Sequence, residues 1–394
     1  MGETAHVPIV VLARNPTDSF IAGLLPALRR TDLGVVLLTD HPDEHERRIA
    51  GPAVQIVGCE VTRLDRVLAA LPPRCDAVLS NSDHLQTQTA LAADYLGLPG
   101  KDWRSAARAR DKGLMRATLA ASGLDDTVVH RLHGSQLPAG VPFPAVLKPA
   151  AGVASEDVVL VRDAADLARR VRAVRAHRDG DLLVEALLEG PLHTLETLGD
   201  AATVRPWGGY RTTVSPPPAF IEQRLTWAPP GPAEVAAVLA RLRCLGAGFG
   251  ACHTEYVVTP AGVRLVEVND RLIGDHCDFT MAEIVGEDVF DQVVAVHLGA
   301  PVPGQPVAGG RAGLVHWVLA PGDGRLRTTA RAGEHPAAGG AMVTYHPIRH
   351  DGDVVRVTGT NRDYLGSVQV VAPDDVTATR ALADFVALHE WVVR

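Results

Sequence analysis

The most informative pattern in this chain of 394 residues lies at positions 253–279, H-T-E-Y-V-V-T-P-A-G-V-R-L-V-E-V-N-D-R-L-I-G-D-H-C-D-F. Two short apolar runs, at 256–258 and 263–268, flank the segment T-P-A-G at 259–262. β-Branched residues on either side of a turn that contains Pro and Gly predict a β-hairpin.

The hairpin brings several polar side chains together. Glu255 opens the first strand and Glu267 closes the second, so a turn at 260–261 sets the two carboxylates side by side. Asn269 lies two residues after Glu267 on the same face of an extended chain, and Arg271 follows two residues later. Two carboxylates and an amide oxygen are ligands that Mg²⁺ accepts. An E-x-N-x-R pattern alone also fits the solvated face of a hairpin, but the second glutamate across the turn favours a metal site.

The composition excludes several classes of protein. With 46% hydrophobic and 21% charged residues, the chain is globular and long enough for two or three domains. A net charge of −8 argues against nucleic acid as the main partner. No apolar run approaches the ~20 residues of a membrane helix, and residues 7–13 are too short for a secretory signal. Five cysteines without a C-x-x-C pair indicate reduced thiols, so we expect a cytoplasmic protein.

Lysine is rare in this chain. Of the 38 basic residues only Lys101, Lys112 and Lys148 are lysines, and all the others are arginines. A lysine kept against that bias is a candidate for a site that needs a compact ammonium group rather than a planar guanidinium. We single out Lys112 and Lys148 because of the motifs around them.

The first hundred residues alternate between strand and helix patterns. The expected strands are 7–13, 34–39, 54–57 and 77–80, and the expected helices are 20–30 and 61–71. Such βαβ units predict a parallel sheet covered by helices. No G-x-G-x-x-G follows the first strand, so a dinucleotide fingerprint is absent. Residues 81–84, N-S-D-H, either bind a ligand at the carboxyl end of the sheet or cap the next helix.

Residues 143–161, F-P-A-V-L-K-P-A-A-G-V-A-S-E-D-V-V-L-V, predict a second functional segment. A strand at 145–148 ends in Lys148, and a loop of small residues at 149–157 leads to a returning strand at 158–161. Small residues allow a main chain to close on phosphates, and a lysine there meets phosphate oxygens. A helix over 105–121 carries Lys112.

Together these segments resemble the ATP-grasp superfamily, whose metal-binding hairpin has an acid on one strand and E-x-N-x-R on the next. The D-K-x-x-M-R-x-x-L-x-x-x-G segment at 111–123 and the P-x-x-x-K-P segment at 144–149 resemble its nucleotide-binding lysines. The resemblance implies that Lys112 and Lys148 hold ATP phosphates. The loop departs from the family pattern, because it has only Gly152 and carries Glu156 where a small residue is usual.

The resemblance also implies the remaining nucleotide contacts. Ser155 would contact the terminal phosphate or stabilise the turn. The main chain of Leu187 and Leu188 would read the adenine edge, and Glu185 or Glu189 would bind the ribose. His193 would lie over the nucleotide, and the loop-like segment 210–232 would line the acceptor pocket.

The implied fold is an α/β ATP-grasp architecture with a parallel-sheet domain at 1–103 and an ATP-grasp domain at 104–300. The latter has a lid lobe at about 104–185 and a metal-hairpin lobe at about 186–300, with a helix expected over 280–297. A linker at 301–310 leads to a small C-terminal α+β domain at 311–394, which is rich in strands and ends in a helix at 376–393.

The implied activity is that of an ATP-dependent carboxylate–amine ligase similar to amino-acid and dipeptide ligases. A carboxylate would attack ATP to give an acyl phosphate, and an amine would then form the amide, with ADP and phosphate as products. Two Mg²⁺ ions, which Mn²⁺ can replace, would bind Glu255, Glu267 and Asn269, and Arg271 would stabilise the oxyanion.

The expected partners are therefore small-molecule carboxylates and amines, with amino-acid-like substrates in peptide or natural-product biosynthesis and a homodimer as the candidate assembly. Asp275 and His276 are candidates to recognise or deprotonate the amine. Two alternatives stay open. An acid–His pair after the arginine also occurs in biotin carboxylases, which activate bicarbonate, although the chain has no Met-Lys-Met biotin site. The second alternative is a protein that binds ATP as a sensor and catalyses no reaction.

Overall fold

The N-terminal part of the computed structural model is a parallel sheet with helices on both faces. The structure describes residues 7–49, 51, 54–134, 137–152, 155–304 and 310–394. The sheet has the order β3–β2–β1–β4, from β1 (Ile9–Leu12), β2 (Val35–Thr39), β3 (Val54–Gly58) and β4 (Ala77–Leu79). Its helices are α1 (Leu25–Arg29, after a π-helical turn at Ser19–Leu24), α2 (Pro42–Arg48), α3 (Leu64–Ala70) and α4 (Gln86–Tyr95). Strands β1 and β2 are fully buried aliphatic runs, as expected of a sheet covered on both faces.

A small antiparallel sheet follows and forms the lid lobe. Its order is β5–β8–β6–β7, from β5 (Val129–Leu132), β6 (Ala145–Pro149), β7 (Val159–Val161) and β8 (Leu182–Ala186). Its neighbouring helices are α5 (Trp103–Arg110), α6 (Lys112–Ala121) and α7 (Ala164–Arg175).

The expected single helix at 105–121 is wrong. Asp111 has an extended backbone (φ −106°, ψ 105°) and its side chain accepts hydrogen bonds from the main-chain N–H groups of Gly113 and Leu114. The residue therefore ends α5 and caps α6. Lys112 becomes the first residue of a new helix.

A large antiparallel sheet, together with its helices, forms most of the remaining structure. Within the described residues its order is β14–β13–β9–β11–β12–β15–β20–β18–β17, with β10 added beside β9. Its strands are β9 (Leu192–Asp200), β10 (Val204–Gly208), β11 (Tyr210–Val214), β12 (Glu222–Trp227), β13 (Phe249–Thr259), β14 (Gly262–Asn269), β15 (Ala312–Leu319), β17 (Gly333–Pro336), β18 (Met342–Pro347) and β20 (Tyr364–Ala372). A short sheet of order β19–β16–β21 lies beside it, from β16 (Gly324–Thr328), β19 (Val354–Val355) and β21 (Trp391–Val393).

Several local expectations for this half of the chain are wrong. The segment 210–232 is not a loop, because β11 and β12 pair with each other and β12 pairs with β15. The helix expected over 280–297 is two helices, because Gly286 adopts a left-handed φ of 68° and ends the first one. The C-terminal helix stops at Leu388 and β21 follows. The helices are α8 (Pro232–Leu245), α9 (Cys277–Val285), α10 (Val289–His297) and α11 (Asp375–Leu388).

The main hydrophobic core joins the N-terminal sheet to the large sheet. Leu24 and Leu28, after β1, belong to the same buried cluster as Phe290 and Val293 of α10. The close approach requires a glycine at Gly23, because a Cβ atom there would lie 2.3 Å from the Phe290 ring. No helix among the described residues is both long enough and apolar enough to span a bilayer.

The predicted linker at 301–310 stands between strands that belong to one continuous sheet. The pairing of β12 with β15 carries the large sheet from residues before this segment to residues after it. Residues 305–309 lie outside the described part of the chain. The domain limits at 103, 300 and 311 stay predictions.

Strand β9 should tolerate no added side chain at Gly199, because a Cβ atom there would lie 1.7 Å from the Gly248 carbonyl oxygen. We expect Gly199→Ala to cost about 2 kcal/mol or more of unfolding free energy, since the neighbouring backbone must move. Gly231→Ala is the matched control, because nothing lies within 4 Å of a Cβ at that position. Urea unfolding of both variants measures the difference, and equal stabilities would contradict the close approach.

Candidate active site

A cleft of about 1100 Å³ lies between the large sheet, the lid lobe and the carboxyl ends of the N-terminal strands. All predicted site residues except His193 line this cleft. They are Lys112, Lys148, Ser155, Glu185, Leu187, Leu188, Glu255, Glu267, Asn269, Arg271, Asp275 and His276. The volume exceeds that of most small-molecule pockets and suffices for a nucleotide together with a second ligand.

The β13–β14 hairpin carries the central carboxylates. Thr259 pairs with Gly262 across the turn, and Glu255 pairs directly with Glu267. The two pairs do not follow from one uninterrupted register, which would set Glu255 opposite Val266. A β-bulge between Tyr256 and Glu255 absorbs one extra residue and brings Glu267 into place. The bulge therefore creates the carboxylate pair.

A buried histidine lies beside Glu255. His253 Nδ1 is 2.7 Å from Glu196 Oε1, and its Nε2 is 3.4 Å from Glu255 Oε1. Burial lowers the pKa of His253, but the two carboxylates outweigh it and raise the pKa to about 10. An imidazolium ion therefore offsets part of the negative charge on the hairpin. Neither His253 nor Glu196 was expected in this role, because their contact joins β13 to β9 across the sheet.

Lys112 contacts the hairpin from the opposite side of the cleft. Its Nζ lies 3.1 Å from Glu267 Oε2 and donates to the Gly152 carbonyl oxygen at 3.2 Å. The side chain is almost fully buried. Lys112, the first residue of α6, thus connects the hairpin to the lid loop, which is the segment that follows β6 and contains Gly152.

Lys148 belongs to a buried network of charges. Its ammonium group contacts Glu185, and Arg116 Nε also donates to Glu185 at 3.1 Å. The Arg116 guanidinium reaches Asp125 at 2.7 Å as well. Burial raises the pKa of Glu185, but the two cations outweigh it and hold the pKa at about 2. Burial lowers the pKa of Lys148.

This network gives Glu185 a structural role beside the expected one. Its two carboxylate oxygens are bonded to Lys148 and Arg116, so it serves as their counter-ion, and the ribose contact stays a prediction. The alternative, Glu189, is exposed and does not line the cleft. Arg116 was missed, although it occupies a defined position in the D-K-x-x-M-R segment.

The expected base-binding segment lines one end of the cleft. The Leu187 N–H donates to the Pro144 carbonyl oxygen at 3.3 Å, whereas the Leu188 main chain has no hydrogen bond within the described residues. At least one main-chain edge is therefore available to a ligand.

The expectation for His193 is wrong. Its neighbours Leu192 and Thr194 line the cleft, and successive side chains of a strand point to opposite faces. His193 instead stacks on Tyr256 of the opposite face, with ring centroids 5.8 Å apart. Tyr256 belongs to a buried hydrophobic cluster there. Strand alternation along β9 thus places His193 on the face away from the cleft.

The oxygen atoms near Asn269 fit a divalent cation. One terminal atom of the Asn269 amide lies 3.2 Å from Glu267 Oε1 and 3.3 Å from Asp83 Oδ1. With the nitrogen there, it donates to both carboxylates; with the oxygen there, three oxygens converge as they do around a bound cation. Among the described residues no three His, Cys, Asp or Glu side chains form a metal site on their own. A cation would therefore take further ligands from Asn269 and from ligand phosphate oxygens.

A second group of polar side chains lines the same cleft. Asp275 and His276 have left-handed φ angles of 54° and 64°, which non-glycine residues seldom adopt. His276 Nε2 lies 3.0 Å from Asp18 Oδ2, and its ring stacks on His346 at 3.9 Å. The Asp275 carboxylate is exposed and has no partner within the described residues. Asp275 is therefore freer than His276 to bind a ligand.

Glu222, on β12, is a further acidic residue of the cleft that the sequence interpretation missed. Burial, together with the nearby Glu255, raises its pKa to about 8. Three consecutive polar residues at 222–224 hide the strand period, and a register shift against β11 leaves Gln223 unpaired and brings Glu222 to the cleft face with Leu225.

Comparison with known proteins supports the fold. No family model matches the chain. The L-amino acid ligase from Bacillus licheniformis superposes over 100% of both chains with a TM-score of 0.80 and 19% sequence identity. Uncharacterized protein y4rH of Sinorhizobium fredii (strain NBRC 101917 / NGR234) is 26% identical over 386 residues, which are 93% of this chain and 79% of that protein.

Carnosine synthase 1 of Gallus gallus is 28% identical over 280 residues, which are 62% of this chain but only 30% of that protein. This chain thus matches less than a third of that protein's length. The structural likeness confirms the predicted α/β fold class.

Glu185→Gln should destabilise the protein, because it leaves Lys148 and Arg116 as buried cations without a full counter-charge. The folded pKa of Glu185, about 2, lies below its ordinary value of 4.5, so its contribution is present above pH 4.5 and is lost as the pH falls towards 2. We expect a loss of about 3 kcal/mol at pH 7 and a flatter acid limb of stability in urea unfolding. The exposed substitution Asp384→Asn serves as control, and an unchanged acid limb in Glu185→Gln would contradict the network.

Proposed function

We propose that this chain is an ATP-dependent ligase of the ATP-grasp superfamily, which joins a carboxylate to an amine and releases ADP and phosphate. The observation that carries the proposal is the Glu255–Glu267 pair, which faces Lys112 in a cleft that Lys148, Asn269 and Arg271 also line. Adjacent carboxylates opposite ammonium groups suit a metal-bound polyphosphate better than any purely structural role.

The two lysines would hold the nucleotide phosphates. Lys112 and Lys148 lie on the lid lobe, at the start of α6 and in β6, and both reach the same cleft. Ser155, in the lid loop, also lines it, although its hydroxyl now donates to the Phe220 carbonyl oxygen at 3.2 Å. Glu255, Glu267 and Asn269 would hold Mg²⁺, which would supply positive charge that offsets the negative charge developing on phosphoryl transfer.

A carboxylate is a poor acyl donor at neutral pH, so it must first be activated. Its attack on the γ-phosphorus of ATP forms a carbonyl–O–P bond, breaks the bond to ADP and leaves an acyl phosphate. The amine then attacks the acyl carbon, loses a proton and expels inorganic phosphate. Arg271 would stabilise the oxyanion of that step, because among the described residues its guanidinium has one hydrogen-bond partner, the Leu272 carbonyl oxygen, which accepts from Nη1 at 2.7 Å.

We further propose amino-acid-like substrates. The free carboxylate of Asp275 lies in the cleft near Glu222 and suits an ammonium group. The full-length likeness to an L-amino acid ligase and the partial match to a carnosine synthase support the same class. A role in peptide or natural-product assembly would follow from it.

The test uses the purified full chain with ATP, Mg²⁺ and pools of amino acids. We expect phosphate and ADP to be released only with the right pool, and hydroxylamine to trap an acyl hydroxamate. A requirement for bicarbonate would replace the ligase by a bicarbonate-activating enzyme. ATP binding without turnover on any acid, amine or bicarbonate would leave a nucleotide sensor instead.

Glu267→Ala should abolish turnover, because it removes one carboxylate of the metal site and the partner of Lys112. Phosphate release at saturating ATP measures the effect. Asp126→Ala is the control. Asp126 pairs at 2.6 Å with Arg264, which lies on β14 like Glu267, but Asp126 is exposed outside the cleft. Near-normal rates in Glu267→Ala would remove the metal assignment.

Arg271→Ala should preserve ATP binding and reduce product formation by ~10²–10³, the usual effect of losing one oxyanion donor. Binding is measured by calorimetry and product by mass spectrometry. Arg264→Ala removes an arginine from β14 outside the cleft and is expected to keep both properties. Retained product formation in Arg271→Ala would show that another group meets the oxyanion.

A further inference from the structure

Lys101 is the third lysine of the chain, and the proposed reaction gives it no role. Its side chain is only 7% exposed, and its Nζ donates to Phe249 O at 2.6 Å, Ala251 O at 3.1 Å and Asp270 Oδ1 at 2.9 Å. Three acceptors thus match the three N–H donors of one ammonium group. A guanidinium, whose donors are spread over a planar fork, cannot reach three acceptors that converge on a point.

The ammonium group lies where the β13–β14 pairing ends. The last paired residues are His253 and Asn269, and the next residue of the second strand, Asp270, leaves the sheet. Lys101 bonds the carbonyl groups of two earlier residues of β13, Phe249 and Ala251, and also Asp270. It therefore replaces the next part of β14 as the hydrogen-bonding partner.

The glycine-rich segment 246–250, G-A-G-F-G, is explained by the same contact. Gly246 ends α8 with a left-handed φ of 79°, so this part of the motif is a helix stop. Gly250 has a φ of 69°, and a Cβ atom there would lie 3.2 Å from the Lys101 Nζ and 3.0 Å from the His297 ring. The glycine thus leaves room for the buried ammonium group.

Asp270 connects this contact to the candidate active site. It lies between Asn269 and Arg271, both of which line the cleft, while its own side chain is 2% exposed and points away from solvent. Its second oxygen, Oδ2, has no hydrogen-bond partner within the described residues. Lys101 is therefore the main constraint on Asp270, and the orientation of Asp270 limits where its two neighbours can point.

One short segment reaches the hairpin at two places. Lys101 precedes α5 and bonds behind Asn269, and Lys112 follows α5 and contacts Glu267 in the cleft. Helix α5, Trp103–Arg110, separates the two lysines by a rigid spacer.

We propose that Lys101 is a positioning residue, which holds Asp270 so that Asn269 and Arg271 face the bound nucleotide and metal. This inference rests on the proposed function, but the experiment that tests it measures binding and does not require turnover. Loss of Lys101 should weaken the metal-dependent part of nucleotide binding, which depends on Asn269. It should spare the metal-independent part, which depends on Lys112 and Lys148.

The test measures binding of the non-hydrolysable analogue adenylyl imidodiphosphate to the full chain by calorimetry, in EDTA and in Mg²⁺. In Lys101→Met we expect an unchanged Kd in EDTA and at least a tenfold loss of the tightening that Mg²⁺ produces in the parent chain. Urea unfolding accompanies each measurement. Arg205→Met is the matched control, because Arg205 is a buried cation paired with Glu287 at 2.8 Å outside the cleft.

A second variant separates the loss of the positioning contact from the instability caused by an unpaired buried charge. Lys101→Met leaves Asp270 as a buried unpaired carboxylate and could fail to fold, so Lys101→Met with Asp270→Asn removes both charges. We expect this double variant to recover stability but not the Mg²⁺ effect. A full Mg²⁺ effect in either variant, or an equal loss in Arg205→Met, would overturn the positioning role.

Phosphate release by the parent chain distinguishes the two proposals. A parent chain that shows the Mg²⁺ effect but no turnover would end the ligase proposal, and the comparison with Lys101→Met would still decide the positioning role. Turnover together with an undiminished Mg²⁺ effect in Lys101→Met would end the positioning role alone. A parent chain in which Mg²⁺ produces no tightening would also overturn it, whatever the turnover.

Discussion

The structure depends on keeping two carboxylates side by side in a partly buried cleft. Two like charges ~4 Å apart repel each other by about 4 kcal/mol at the effective dielectric of a protein surface. Glu255 and Glu267 are direct neighbours across the hairpin, so the fold must place positive charge around them. It does so from three directions: His253 beside Glu255, Lys112 beside Glu267 and Arg271 after the strand. These cations come from the sheet, the lid lobe and the loop that follows β14, so compensation of one charge pair fixes how the parts of the molecule meet.

The hairpin, its turn and the strand that carries Lys148 were predictable because their signals are local. A Pro/Gly turn between β-branched runs specifies a hairpin within a dozen residues, and the observed turn at Pro260 and Ala261 follows it. The parallel sheet of the first hundred residues was predictable for the same reason, since buried strands and helices alternate at short range. The bulge that pairs Glu255 with Glu267 was not, because counting residues along a strand cannot reveal one that is left out of the register. The expected proximity was right, whereas the simple hairpin symmetry behind it was incomplete.

The errors concern contacts between distant parts of the chain. The resemblance gave the ribose contact to Glu185 or Glu189, but it could not show that Glu185 is paired with Arg116, which lies 69 positions earlier. Glu222 was hidden in a Pro-rich segment whose strands form only because β9 and β15 lie on either side of them. His193 was misplaced by a single step of strand alternation, although the neighbouring residues do line the cleft. Local sequence patterns thus indicate which strands and helices carry the site. Contacts between distant segments decide which of their side chains remain available to a ligand.

The lysines show how a compositional bias can carry structural information. In a chain that uses arginine almost everywhere, two of the three lysines lie where acceptors from different segments converge on a single point. Lys148 contacts Glu185, Lys112 meets Glu267 and the Gly152 carbonyl oxygen, and Lys101 meets three acceptors at the end of β14. A planar guanidinium suits a bidentate pair, as Arg116 makes with Glu185, but it cannot fill a point of convergence. Two of these lysines line the cleft and the third bonds Asp270, the residue between Asn269 and Arg271, so the few lysines of this chain all lie in or beside one site.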